Sequence, residues 1–343
     1  MFNVLSLFSN IGVGEYLIPE SYRVVLASEL ESFRCKVYGS IYPGHEIIEG
    51  DIIERKSEII NKSRELGVNV VIATPPCQSF SVINNKKQEG DLRDNLVVHA
   101  IDIVRELQPR LALFENVAKQ AGLVIDGLLY EDYLRKHLSG YTIHTVVLNA
   151  ADFGVPQRRK RLFTIISKTP LPLPAKQKHI TLREAIGSLA SIEVGDKTAD
   201  TMHYGPPNSA HHVLWAKHTP TGKSSFENYG INEYYPQVEG GRRIKGYNTT
   251  YRRMYWDDVS YTITMNHAGP NGSNTLHPGR PLEDGMHSDA RTMSLRETAR
   301  IMGLPDRYVL PDYVSYRNGM KLLGEGLCPV VVRDLLLLWK DLI

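Results

Sequence analysis

The sequence has only three cysteines in 343 residues, Cys35, Cys77 and Cys328, widely separated along the chain. That number and spacing exclude a disulfide framework and a cysteine-built zinc site, and no metal is expected. A reducing, cytoplasmic setting suits them. No apolar run approaches the ~20 residues needed to span a bilayer. A basic segment followed by a cleavable apolar stretch is also missing at the start, so neither a membrane anchor nor secretion is expected. An excess of one charge is lacking as well: 40 Lys and Arg stand against 38 Asp and Glu, a formal net charge of +2. The total therefore announces no polyanionic partner, and any such partner must be sought in how the charge is distributed. Internal repeats and low-complexity tracts are absent. What remains is ordinary globular composition, 42% hydrophobic and 23% charged, with room for one large α/β domain and a smaller one.

Through Ile166, short β-branched runs alternate with helical patterns, which predicts βαβ units and a mostly parallel sheet. Val4–Phe8, Val24–Ala27, Val70–Ala73, Leu111–Phe114, Thr142–Leu148 and Leu162–Ile166 read as strands. Leu96–Leu107 carries apolar residues at helical spacing and stops at Gln108-Pro109. Prolines alternate through Thr169–Pro174 and mark a domain boundary. Residues 175–275 are rich in His, Tyr, Gly and Asn without clean periodicity, as a small loop-rich domain would be. A final helix begins at Pro329.

Four blocks carry chemistry. The apolar run Val70–Ala73 ends in Thr74-Pro75-Pro76-Cys77-Gln78-Ser79-Phe80-Ser81. The two prolines stop strand pairing and hold a thiol at the carboxyl end of a strand, where chemistry collects in open α/β sheets. Alone, such a cysteine reads first as a small buried residue that ends a strand. Leu111–Phe114 runs into Glu115-Asn116-Val117, and Gln157-Arg158-Arg159-Lys160-Arg161 leads into Leu162–Ile166. Near the end stands Arg291-Thr292-Met293-Ser294-Leu295-Arg296-Glu297, followed by Met302-Gly303-Leu304-Pro305. Earlier, Phe8-Ser9-Asn10-Ile11-Gly12-Val13-Gly14 follows a strand with the glycines of a tight, ligand-approaching turn. Glu29 ends the second strand, where a carboxylate accepts from ribose hydroxyls in Rossmann-type sites.

Taken together and in this order, these blocks resemble the DNA (cytosine-5)-methyltransferase family of the prokaryotic or phage restriction-modification type. The matching blocks run from Phe8 to about Pro329. The resemblance implies a Rossmann-like α/β catalytic domain over residues 1–174, a target-recognition domain over 175–275, and a return to the catalytic domain over 276–343. It implies S-adenosyl-L-methionine as cofactor, with S-adenosyl-L-homocysteine as product. Along the cofactor pocket it places Phe8, Ile11, Gly12, Glu29, Leu30, Asp51, Ile52, Pro76 and Leu96. Asp51 would accept from the adenine amino group and Ile52 cover the ring, although Asp51 also reads as a helix N-cap. Cys77 becomes the nucleophile that adds to C6 of cytosine, Glu115 the group at N3, Arg161 the contact to O2, and Arg159 a support on the nucleophile's side.

Double-stranded DNA is the implied partner, with the protein acting as a monomer on it. A cognate restriction endonuclease is implied as a genetic partner. Gln78, Ser81 and Arg93 would contact that DNA, and the loop Ser79–Asp94 after the nucleophile would close over a flipped base. Residues 240–256 hold Arg242, Arg243, Lys245, Arg252 and Arg253 among tyrosines and no acid. That is either a solvated basic face or a phosphate-binding stretch, and the resemblance favours DNA contact. Two departures from the family pattern stand out. Asn10 and Val13 occupy usual glycine positions, and Glu325 replaces an amide in Gly324-Glu325-Gly326, which together predict weakened cofactor binding. A tRNA methyltransferase is the alternative, disfavoured by the ~100 residues between the proline exit and the Arg291 block, where a shorter region is expected. A DNA-binding homologue without catalysis is a third reading, opposed by the retention of Cys77, Glu115, Arg159 and Arg161.

Overall fold

The structure, a computed structural model, describes residues 1–76, 96–228, 232–238, 240–244 and 246–343. These divide into two compact units. The first comprises Met1–Asn149, Lys160–Lys176 and Pro329–Ile343, and the second Ala150–Arg159 and Gln177–Cys328.

The first unit is built on β1 (Phe2–Leu7), β2 (Tyr22–Glu29), α1 (Ser32–Ile41), β3 (Glu46–Glu49), α2 (Ile52–Glu65), β4 (Val70–Ala73), α3 (Leu96–Leu107) and β5 (Leu111–Val117). A two-residue hairpin, β6 (Val124–Ile125) and β7 (Leu128–Leu129), precedes α4 (Tyr130–His137), β8 (Thr142–Asn149) and β9 (Lys160–Ser167). Seven strands form one sheet in the order β3-β2-β1-β4-β5-β9-β8. β1 to β5 run parallel, while β9 is antiparallel to both its neighbours. Every residue of β4 is buried, which explains its uninterrupted Val-Val-Ile-Ala: helices cover both faces of a parallel strand. Leu5, Leu7, Leu26, Val71, Ala112, Phe114 and Ile166 from the sheet pack with Ile59, Ile101 and Val104 from α2 and α3. α3 stops where Gln108 adopts φ 48° ahead of Pro109. The chain moves outward from β1 through β2 to β3, then returns to β1's other side with β4 and β5. The switch point between β1 and β4 is where such sheets open a ligand crevice.

The last helix, α9 (Pro329–Trp339 in chain order), belongs to this unit. Val332, Leu335, Leu336 and Trp339 are fully buried, and Tyr22 donates to the Leu336 carbonyl at 3.1 Å. The Trp339 indole donates to the Pro172 carbonyl at 2.7 Å, so the proline-rich exit also serves as a seat for the C-terminal helix.

The second unit has little regular structure: α5 (Leu182–Ile186), α6 (Ala210–Lys217), α7 (Leu295–Ile301), α8 (Tyr316–Glu325) and short 3-10 turns. Buried polar groups organise it. Arg291, without solvent exposure, bridges Glu297 at 2.8 Å and Asp289 at 2.9 Å and donates to the Ile192 carbonyl at 2.7 Å. These partners hold the Arg291 block inside the second unit. The return to the first unit therefore falls at Pro329 rather than at the expected 276.

Candidate active site

The turn after β1 has a backbone few side chains tolerate: Phe8, Asn10 and Gly12 take φ of 58°, 50° and 73°. Gly12 is irreplaceable on two counts. Its φ is left-handed, and a Cβ there would lie 2.4 Å from the Tyr42 ring and 2.9 Å from the Tyr38 ring. Val13 is different. It is buried, starts a 3-10 turn and has no positive φ, and neither does Gly14. The expectation that Val13 weakens the turn is thus corrected: the strained positions precede it.

Glu29, buried at the end of β2, accepts from the Asn10 N–H at 2.8 Å, the Leu30 N–H at 3.0 Å and the Glu31 N–H at 3.1 Å. Its carboxylate is pinned beside the strained turn, at the β2 edge of the crevice. Next to it Leu30 is 62% exposed, an apolar side chain left uncovered at the same strand end. Asp51 is the N-cap of α2 and accepts from Ile53 N–H at 2.9 Å through one oxygen, which leaves the other for a ligand donor. Two expected pocket residues are buried: Ile11 has no exposure, and Ile52 is packed into the core beneath α2. Phe8 and Leu96 are partly exposed and Pro76 is exposed.

The adjacent strand ends are tied to this turn. Thr74 donates its hydroxyl to the Phe8 carbonyl at 2.9 Å, and the Asn116 amide donates to the Pro75 carbonyl at 2.9 Å. The chain leading to Cys77 is therefore fixed from both neighbouring strands. In the β5–β9 pairing Arg161 lies opposite Val117, so it shares a sheet face with Glu115 two residues back. Arg161 Nε lies 3.1 Å from Glu115 Oε1, both side chains largely buried. Cys77, Gln78, Ser81 and Arg93 lie outside the described residues.

Arg159 departs from expectation. It is buried in the second unit, where its guanidinium donates to the carbonyls of Ile263 at 2.9 Å, Gly324 at 3.1 Å and Gly326 at 3.0 Å. It acts as a brace for the C-terminal end of α8 rather than as a displayed support for a nucleophile. Gly324 has a steric reason of its own: a Cβ there would sit 2.5 Å from the Thr264 backbone.

The basic stretch splits in two. Arg242 and Arg243 are exposed, with the Arg243 guanidinium 4.4 Å over the Tyr235 ring. Arg252 pairs with Glu227 at 3.1 Å. Arg253 is 0% exposed and donates to the carbonyls of Ala216, His277, Ser288 and Asp289. Its assignment to DNA is corrected, because no phosphate can reach it. Arg252 and Arg253 enter bridges with different segments, Ser224 and Leu276, as neighbouring residues of extended chain do when they face opposite ways. Sequence reading also left out Asn116 as a site residue, although it lay in the quoted Glu-Asn-Val block. It missed Glu15 too, a buried carboxyl next to Gly14 that no pattern announces.

The family model described as C-5 cytosine-specific DNA methylase matches residues 2–337. Type II methyltransferase M1.HgaI from Avibacterium volantium is 37% identical, over 96% of this chain and 96% of its own. M.XorII from Xanthomonas oryzae pv. oryzae is 26% identical over 91% of this chain and 78% of its own. A putative DNA modification methyltransferase encoded within an E. coli prophage shares the fold, with a TM-score of 0.73 at 19% identity, covering 100% of this chain and 99% of that one. The Spodoptera frugiperda DNMT2 structure gives a TM-score of 0.66 at 17% identity, covering 99% and 100%.

Proposed function

The chain belongs to the C-5 cytosine-specific DNA methylase family, and on that footing we propose that it methylates C5 of a cytosine flipped out of a specific duplex DNA site, using S-adenosylmethionine and a transient bond between Cys77 and C6. It is a DNA cytosine-5 methyltransferase of the type II restriction-modification kind. Protection of DNA from a cognate endonuclease is the biological role that follows.

The observation that carries the reading is the meeting of three strand ends at the switch point. The left-handed Gly12 shapes the turn after β1, Pro75 leads to Cys77 after β4, and the Glu115–Arg161 pair stands at the end of β5. The glycine turn, the pinned Glu29 carboxylate and the uncovered Leu30 fit the methionine, ribose and adenine parts of S-adenosylmethionine. When bound, that cofactor supplies an electrophilic methyl group.

C5 of cytosine is a weak nucleophile, and the Cys77 thiolate makes it a strong one by adding to C6 and pushing the ring's electron pair towards C5. Glu115 holds a proton at N3, which offsets the charge that builds on the ring, and Arg161 presents a permanently charged fork to O2. The ion pair between them fixes both in place. After methylation at C5, loss of the C5 proton and rupture of the C6–S bond return the Cys77 thiolate. The other cysteines do not compete for the role. Cys328 is buried, and burial pushes the Cys35 thiol up to about 12, away from the thiolate form. The base must leave the duplex first, at a cost of a few kcal/mol.

Tritiated S-adenosylmethionine with duplex DNA and tRNA in parallel tests the reading. Label in DNA alone, mapped to C5 of cytosine, is expected. Label in tRNA alone, or in neither, overturns it.

A further inference from the structure

Beneath the Phe8–Gly14 turn lies a carboxyl group that the proposed chemistry does not use. Glu15 closes the Val13–Glu15 turn with 5% exposure. Ser6 of β1 donates its hydroxyl to one carboxyl oxygen, and Tyr38 of α1 donates to the other at 2.9 Å. The Tyr38 hydroxyl is also 3.4 Å from Nδ1 of the half-buried His45. Tyr42 stacks on His45, ring centroids 5.1 Å apart, and its hydroxyl donates to the Gly12 carbonyl. One polar chain thus runs from a half-buried imidazole to the underside of the cofactor turn. Contact is tight, since a Cβ at Gly12 would lie 3.1 Å from Glu15 Oε2.

No cation among the described residues offsets a charge on Glu15. The groups facing it are Ser6, Tyr38 and, through Gly12, Tyr42. His45 sits behind Tyr38, held below its usual range by burial and by Arg23. α9 packs against the Val13–Glu15 turn, but its Arg333 and Asp334 pair with each other at 2.8 Å. Burial accordingly raises the Glu15 carboxyl to about 7.

We propose that Glu15 is a positioning residue for the cofactor: as a neutral, hydrogen-bonded acid it holds the Phe8–Gly14 turn in its receiving conformation, and its ionisation withdraws that support. This rests on the proposed use of S-adenosylmethionine at this turn. An unpaired carboxylate at this depth is relieved only by admitting water, which requires the turn above it to move. The sign follows. Below the folded value the acid is neutral and the turn is set. As pH rises through it, binding must first restore the proton, so affinity falls.

The test is calorimetric binding of S-adenosylhomocysteine to the full chain between pH 6.5 and 8.5, a readout independent of Cys77 chemistry. Binding should weaken roughly twentyfold across that range, because affinity that requires the proton falls towards tenfold per unit of pH above a carboxyl value of about 7. Glu15→Gln, which mimics the neutral acid, should remove that pH dependence. Any part it retains is the titration of the ligand's own amino group. Tyr38→Phe removes a hydrogen bond that favours the carboxylate, so its midpoint should move to higher pH. A Glu15→Gln profile that follows the wild type, or wild-type affinity that does not change with pH, overturns the role of Glu15 alone. No binding by the wild type at any pH overturns the cofactor reading beneath it as well.

Discussion

Replacing Gly12 by alanine should remove most of the cofactor affinity while the first unit stays folded. The cost can be worked from the turn itself. Alanine at φ 73° pays roughly 1 kcal/mol for a left-handed backbone. Its methyl would also meet the Tyr42 and Tyr38 rings at 2.4 and 2.9 Å. Overpacking of that kind costs about 1–3 kcal/mol. If binding must first restore the native turn, the total of ~2–4 kcal/mol becomes a loss of about 30-fold to several hundredfold in Kd. The strand pairings of β1 with β2 and β4 end at Leu7 and are untouched, so the melting temperature should fall by only a few degrees. Titration of S-adenosylhomocysteine by calorimetry beside a thermal melt measures both. Val13→Gly is the instructive companion. The family pattern suggests it should tighten binding, whereas the structure predicts no gain and some loss of stability, because Val13 is buried at ordinary φ. Affinity for Gly12→Ala within about threefold of the wild type would refute the reasoning.

Arg242→Ala with Arg243→Ala should reduce the slope of log affinity against log salt by up to about 2 on duplex DNA, leaving the fold intact. Arg253→Ala should leave that slope unchanged and lower the melting temperature instead, since it strips donors from four buried carbonyls. Acid should destabilise the second unit in two stages, read by calorimetric melts across pH. Burial lowers His277 from its usual 6.5 to about 4, so its neutral form supports the fold above 6.5 and that support is lost as pH falls towards 4. Glu297, depressed by Arg291 despite its burial, adds stability above its usual 4.5 that is lost at still lower pH. A melting temperature unchanged between pH 7 and about 4 would contradict this assignment.

Much of this architecture was legible in the sequence because the physics was local. Four apolar residues ended by Pro-Pro specify a buried strand and its exit, and Leu96–Leu107 stops where Gln-Pro must stop it. The Glu115–Arg161 pair was readable as two family positions, although only the β5–β9 register puts them on one face. β3 escaped notice because Glu-Ile-Ile-Glu at a sheet edge is too short and too charged for a period to show. Strand direction in β8 and β9 is likewise set by tertiary pairing and not by composition. Arginines misled most. In sequence Arg253 reads as a DNA contact and Arg159 as a support beside the nucleophile, yet each is buried because several backbone carbonyls converge on it, a condition no window of residues reveals. The Phe8 and Asn10 backbone strain is similarly invisible until the turn is built.

The central claim is that Cys77 forms a covalent bond to the target base, and trapping tests it most directly. The target cytosine, located by bisulfite sequencing of methylated DNA, is replaced by 5-fluorocytosine in a short duplex and incubated with enzyme and S-adenosylmethionine. Fluorine cannot leave as the C5 proton does, so the C6–S bond should persist through denaturation, and peptide mass spectrometry should place the adduct on Cys77. An enzyme that methylates the ordinary duplex yet yields no adduct, or an adduct on Cys35 or Cys328, would contradict the account.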